Sequence, residues 1–260
     1  MADAAVPVKG TRPEGAETEL DASRKIREMF AEIAPHYDFL NHLLSFELDR
    51  LWRARAAHHL RPILERSDSL VLDLCCGTGD LAVSLARAGK ARIIGADFAH
   101  SMLVRAKKKT VSMAGNSSGP SGRTLSFLEA DALRLPFADA SFDLVSTAFG
   151  FRNLANYTAG LREIKRILKP GGTLAILEFT EPAEGLFGNL YRWYCRTLLP
   201  RIGGLLSGNP SAYAYLPMSV SRFFRPPELV SLMDSAGYKS IEFRVWTMGT
   251  VALHTGVRSR

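Results

Sequence analysis

The sequence predicts an α/β fold: a doubly wound, mostly parallel sheet with helices on both faces. Three observations predict it. Apolar runs of strand length alternate with helix-period segments between positions 69 and 179, as right-handed βαβ crossovers require. A glycine turn, Gly77-Thr78-Gly79, follows the first run, and helix periodicity (Leu81, Leu85, Ala88) starts at once. The second run, Ile93-Ile94-Gly95-Ala96, ends on Asp97. Together these make a nucleotide-type half, with glycines for close backbone approach, helix N–H groups for an anion and an acid for ribose hydroxyls.

The elements follow in order. Residues 1–22, rich in Ala, Pro, Gly and Glu, read as a disordered leader whose acids argue against a transit peptide. Residues 23–35 form an amphipathic helix with Ser23 as its cap and Pro35 as its stop, and a second helix covers 47–60. Strand 69–74, helix 79–88, strand 91–96 and helix 100–109 come next. Residues 112–123 read as a flexible surface loop. Strands 125–130 and 142–148, helix 156–168 and strand 173–179 continue the alternation. Helix 226–236 leads to an antiparallel C-terminal hairpin, 239–246 and 250–257, turning at Met248-Gly249.

At 260 residues and 47% hydrophobic, one domain can bury a full core. No apolar run approaches the ~20 residues that span a bilayer. Three cysteines make no disulfide framework and point to a reducing cytosol. Cys75 and Cys76 are expected to fill space at a buried strand end, and the six histidines show no metal spacing and most of them are expected on the surface. The net charge of +7 is unevenly spread. Between positions 184 and 228 there is no Asp, Glu or Lys but five arginines, interleaved with residues such as Leu186, Phe187, Leu190, Tyr191 and Trp193. That mixture suits a membrane interface or a greasy substrate, and equally a lid with solvent-facing arginines.

The loose glycine fingerprint also admits NAD, but the acids favour another cofactor. Asp73 ends the first strand, where it suits an ammonium and repels a pyrophosphate. Asp131-Ala132 after the third strand suits an adenine edge, and no second domain remains for a nicotinamide substrate. S-adenosylmethionine fits: ammonium on Asp73, carboxylate on the Gly77-Thr78-Gly79 N–H groups, ribose on Asp97 and adenine on Asp131 and Ala132.

With these residues the chain resembles the class I S-adenosylmethionine-dependent methyltransferases. More narrowly, it resembles the ubiquinone/menaquinone biosynthesis C-methyltransferases (the UbiE family), especially the demethylmenaquinone methyltransferases. The motifs are Tyr37-Asp38-Phe39-Leu40-Asn41 with Leu44-Ser45 and Trp52, and Phe149-Gly150-Phe151-Arg152-Asn153. Further pieces are Arg166-Ile167-Leu168-Lys169-Pro170-Gly171-Gly172, Leu177-Glu178-Phe179, Tyr215-Leu216-Pro217 with Ser219-Val220, and Val251-Ala252-Leu253-His254 with Gly256. The chain departs from the family pattern at three places: Asp49 stands for a usual His, Ala148 for a frequent Ser and Thr180 for a usual Ser.

The resemblance implies a single methyltransferase domain, 23–260, with a helical lid (23–62) and a substrate- or membrane-facing insertion (181–225). It implies C-methylation of a polyprenylated quinol, demethylmenaquinol to menaquinol, releasing S-adenosylhomocysteine and using no metal. A ubiquinone-pathway benzoquinol or another aromatic or lipid acceptor is the alternative. A nicotinamide-dependent reductase or a noncatalytic lipid- or nucleic-acid-binding protein are the readings of other classes. Arg152 is expected to stabilise the quinolate, Asn153 to orient it and Asp38 to stand as a candidate base. Tyr37, Asn41, Phe149, Tyr213 and Tyr215 are the expected substrate residues. The expected place is the cytoplasm, peripheral at the inner membrane face, with no nucleic-acid partner; the choice between monomer and homodimer stays open.

Overall fold

The computed structural model describes residues 10–35, 37–114, 125–199, 201 and 210–259, without the side chains of 112–114 and 210–214. Seven strands form one sheet: β1 (Leu70–Leu74), β2 (Arg92–Asp97), β3 (Leu125–Glu129), β4 (Phe142–Ala148), β5 (Leu168–Phe179), β6 (Tyr238–Trp246) and β7 (Val251–Arg258). The order is β3-β2-β1-β4-β5-β7-β6. Strands β1 to β5 pair in parallel, and β7 runs antiparallel between β5 and β6. The hairpin is therefore present, with its second strand inserted inside the sheet. The order reverses beside β1, so the crevice for a ligand lies past the carboxyl ends of β1 and β4.

Strand alternation builds a core on each face. Leu72, Val145, Leu174 and Ile176 pack on one side with α7 (Tyr157–Ile167). Val71, Leu144, Ala175 and Leu177 pack on the other with α3 (Leu48–His59) and α5 (Asp80–Ala88). Helix α7 buries Leu161, Ile164 and Ile167 along one stripe, and its Asn156 cap accepts the Ala159 N–H. Strand β5 starts at once after α7, because the Lys-Pro-Gly-Gly segment stays in the sheet through a register shift opposite Phe142.

The N-terminus departs from expectation. Helix α1 covers Glu19–Ile33, capped by Thr18 rather than Ser23: the Thr18 hydroxyl accepts the Asp21 N–H and the Asp21 carboxylate accepts the Thr18 N–H. The expected leader is thus shorter at its end. Before the helix, the Thr11 N–H donates to the Leu154 carbonyl (2.9 Å) and Arg12 to the Ala155 carbonyl (2.7 Å). Residues 1–9 lie outside the described residues, as does most of the expected 112–123 loop, since α6 (His100–Ala114) runs further than the pattern suggested.

Helices α2 (Tyr37–Leu44), α4 (Arg61–Leu64), α8 (Leu186–Trp193), α9 (Pro210–Ser221) and α10 (Pro226–Ser235) are the other named helices among the described residues. Helix α8 continues into a π-helical turn, Tyr194–Leu198. Three of the five described histidines are not exposed: His254 is buried with Nε2 3.1 Å from the Pro226 carbonyl, and His42 and His59 are half-buried.

Candidate active site

Both strands that bound the crevice end in strained turns. Cys75 after β1 and Phe149 after β4 take φ of 55° and 58°, a region that side-chain-bearing residues seldom adopt. The turns meet so closely that a Cβ on Gly150 would lie 2.4 Å from the Cys75 Cβ. At Gly79, φ is 84° and a Cβ would come within 2.9 Å of the Phe127 ring, so glycine is required on two counts.

Two cavities open here. The smaller, about 60 Å³, is lined by Asp97, Asp131, Ala132 and Asn153. The larger, about 500 Å³, is walled mostly by apolar groups such as Met29, Leu190 and Leu216, with Asn41, Asp73, Thr78, Arg152 and Tyr215 among its polar ones. Phe30, Tyr37, Cys75, Gly77, Ala148 and Phe149 line both. The volume suits a small-molecule site.

Asp73 is fully buried; Oδ1 accepts the Ser146 hydroxyl at 3.3 Å, while Oδ2 has no hydrogen-bond partner. Burial pushes its carboxyl up to about 8, against the Ser146 hydrogen bond. An orphaned carboxylate oxygen at a cavity wall is what a ligand ammonium would satisfy. Burial likewise pushes Asp97 up to about 6, although it accepts the Ala99 N–H (2.9 Å) and the Gly77 N–H (2.8 Å).

That last bond corrects an expectation. The Gly77 N–H serves Asp97 and the Gly79 N–H serves the Cys76 carbonyl, so neither is free for a ligand carboxylate. Asp131 is exposed and tied to the Leu133 N–H, beside buried Ala132.

Arg152 lines the larger cavity but is 5% exposed and paired: its Nη1 donates to Glu178 (2.8 Å) and to the Phe149 carbonyl, and its Nε to Ser219 (3.3 Å). Burial pulls the guanidinium down, but the Glu178 charge outweighs it and holds the group above the usual arginine range. Its carbon sits 5.4 Å from the centroid of Phe179, which joins Trp52 and Phe149 in an aromatic wall. Burial raises Tyr37, which packs edge-on against Phe30 where the cavities meet.

Two expected catalytic residues are placed otherwise. The Asn153 carbonyl oxygen accepts the Tyr215 hydroxyl (2.9 Å), which also meets Thr11 (3.1 Å), and Asn153 faces only the smaller cavity. Asp38 lines neither; it pairs with Lys109 (2.7 Å) and accepts the Thr78 hydroxyl, on a separate open cleft. Tyr213 has its side chain outside the described residues. Burial raises the Cys75 and Cys76 thiols far above their ordinary value, consistent with packing.

The sequence offers Glu163 or Glu178 as a structural ion-pair partner for Arg152, and the structure selects Glu178, Glu163 being paired with Arg166; the cluster of Asp49, Arg53 and Asp80 was not read from sequence. Each left a signal: Glu178 interrupts the apolar run of β5, and Asp49 and Arg53 share the buried stripe of α3 with Trp52 and Ala56. Arg53 donates to both Asp49 and Asp80, which it bridges at the cavity wall.

Comparison with known proteins agrees with this geometry. The model of the ubiE/COQ5 methyltransferase family matches residues 18–258. A demethylmenaquinone methyltransferase of Thermus thermophilus is 48% identical over 231 residues, 88% of this chain and 100% of that protein. Its Deinococcus radiodurans counterpart is 46% identical over 237 residues, 91% of this chain and 93% of that protein. Among solved structures, a SAM-dependent methyltransferase from Thermotoga maritima superposes with a TM-score of 0.56 at 20% identity, covering 89% of this chain and 100% of that one, a likeness of fold alone. The chain belongs to the ubiE/COQ5 methyltransferase family, S-adenosylmethionine-dependent enzymes of the class I fold.

Proposed function

We propose that the enzyme methylates a ring carbon of a polyprenylated quinol, converting demethylmenaquinol to menaquinol. One observation carries this reading: a large apolar cavity holding a buried, charge-paired arginine meets a smaller acid-lined one at Tyr37, Gly77 and Phe149. The names of the relatives at 48% and 46% identity support the naphthoquinol nucleus over the benzoquinol.

Asp73 would hold the cofactor's ammonium, Asp97 its ribose, and Asp131 with Ala132 its adenine. Thr78 and buried Arg53, which both line the larger cavity, would take the cofactor's carboxylate. When bound, S-adenosylmethionine supplies an electrophilic methyl group.

The chain must make a neutral quinol carbon nucleophilic. A quinol hydroxyl, phenol-like with a pKa of about 10, activates the ring when it ionises. The Arg152 guanidinium, kept charged by Glu178, stabilises that oxyanion in a site walled from water by Trp52, Phe149 and Phe179. Tyr37 and Asn41 close the cavity from the lid, and Tyr215 with Asn153 braces the opposite wall. Calorimetric titration should show S-adenosylmethionine and S-adenosylhomocysteine binding and NADH not binding; NADH binding alone would contradict the reading.

The mouth of the larger cavity suits a lipid-tailed substrate. Phe46 (72% exposed), Leu190 and Trp193 line it and project to solvent, as does Leu186 beside them. Arg192 and Arg196 also line it, and exposed Arg50 lies close in sequence. No described helix is long and apolar enough to cross a membrane, so the proposal is peripheral contact with an anionic surface. The protein should sediment with anionic liposomes at low salt, and Trp193→Ser with Leu190→Ser should weaken this; no sedimentation would leave the segment as a lid.

A further inference from the structure

The methyl transfer proposed above makes one carbon–carbon bond and breaks one carbon–sulfur bond, whose electron pair stays on sulfur. The ring carbon then loses its hydrogen as a proton, so each turnover leaves one proton in the larger cavity, whose mouth the substrate's tail would fill. Arg152 cannot take it, because its guanidinium is already charged and held so by Glu178.

A second route leads out through the wall. Asp49 lines the larger cavity beside Ser45, whose hydroxyl donates to its Oδ1 at 2.8 Å. On its other side, Oδ2 lies 2.7 Å from Nδ1 of His42. His42 does not line that cavity; it lines the open cleft on the outer face, and its Nε2 is 3.9 Å from Asp80, beyond hydrogen-bond reach. The pair therefore spans the wall, with the carboxylate inside and the imidazole outside.

We propose that Asp49 and His42 form a relay that carries the proton released by methyl transfer from the larger cavity to solvent. With His42 protonated at Nε2, Nδ1 accepts the proton that Asp49 has taken from the cavity and Nε2 releases its own into the cleft; the ring then turns toward the open cleft, where exchange with water restores the Nε2–H form before the next turnover. One proton enters the pair and one leaves. The neighbours hold this arrangement. Arg53 from α3 bridges Asp49 and Asp80 of α5, and Lys109 of α6 pairs with Asp80 and with Asp38 of α2. Arg50, His58, Arg61 and Arg87 face the same cleft from further out. Asp49 and His42 are thus proton carriers and positioning residues, while Arg152 acts on the substrate oxygen.

Variants of the full chain test the relay. His42→Ala should lower kcat about tenfold or more while S-adenosylmethionine affinity stays within about twofold. Added imidazole should restore turnover, because the cleft is open to solvent. His42→Gln, which keeps a hydrogen-bonding side chain but carries no proton across, should fold like wild type and lose as much; Asp49→Asn should lose turnover that imidazole does not restore. In the free protein, the ¹⁵N shifts of His42 should report a hydrogen-bonded Nδ1 in wild type and its loss in Asp49→Asn. An active wild type beside a His42→Ala of unchanged kcat and pH profile, or one that imidazole does not rescue, removes the relay alone. A wild type that transfers no methyl group removes the underlying reading and the relay with it.

Discussion

Arg152→Lys is expected to keep the fold and the S-adenosylmethionine affinity and to lose about 10²-fold or more in kcat. The guanidinium serves three partners at once: the Glu178 carboxylate, the Phe149 carbonyl and Ser219. A lysine retains the charge opposite Glu178 but has no planar fork with which to hold all three and still face the cavity. Arg152→Ala is the less informative change. It strands Glu178, 1% exposed, with no counter-charge, and breaking such a pair destabilises by about 3–5 kcal/mol. The double variant Arg152→Met with Glu178→Gln should recover most of that stability and none of the activity. Thermal unfolding and steady-state kinetics separate the two effects. A tenfold loss of cofactor affinity with kcat unchanged would make Arg152 a cofactor residue.

Cofactor binding is expected to release about one proton near pH 7, because Asp73 must ionise to meet an ammonium. Its carboxyl is pushed to about 8 by burial, so the free protein holds it largely protonated. Affinity should therefore climb with pH, about tenfold per unit below pH 8, and fall again above it as the cofactor's own α-ammonium deprotonates. Asp73→Asn should bind about 10²-fold more weakly or worse and lose this dependence.

Stability of the free protein runs the other way. The folded value lies above the ordinary 3.8, so between about 4 and 8 the native state holds a proton that the unfolded chain has lost. Asp73 thus makes the free protein less stable as pH rises through that window. At pH 8 and above, free Asp73→Asn should melt at a higher temperature than wild type. Asp97, pushed to about 6, has the same sign but is spent by neutral pH, and the buried cysteines add theirs only as the unfolded chain's thiols ionise above about pH 8, so the difference between wild type and Asp73→Asn from pH 7 to 8 reports Asp73. Calorimetry in buffers of different ionisation heat gives the proton count directly; no proton exchange would show that the cofactor's ammonium does not meet Asp73.

The sheet was legible because its signals are local. Apolar runs of strand length and the glycine turn act through neighbouring residues, and the strands fall within a residue of where those signals place them, except β5, which starts five residues early because Lys-Pro-Gly-Gly stays in the sheet. The acids after β1, β2 and β3 were legible for a related reason: parallel topology alone brings strand ends to one edge. What escaped reading depends on contacts between distant segments. Nothing near Asp38 in sequence predicts Lys109, which draws it out of the cavity, and nothing near Gly77 predicts that Asp97 consumes its N–H. Asn153 was read as a reacting neighbour of Arg152, but a one-residue step along the 3-10 turn after β4 sends it to Tyr215 instead. The Thr18 cap escaped because its carboxylate partner is Asp21 rather than the usual Glu or Gln.

The central claim is methyl transfer to a quinol ring carbon, and a radiolabelled methyl assay tests it most directly. Purified protein with labelled S-adenosylmethionine should transfer label to demethylmenaquinol, faster than to the ubiquinone-pathway quinol, and Arg152→Lys should not. Label appearing in neither quinol, from protein shown by calorimetry to bind the cofactor, would contradict the account.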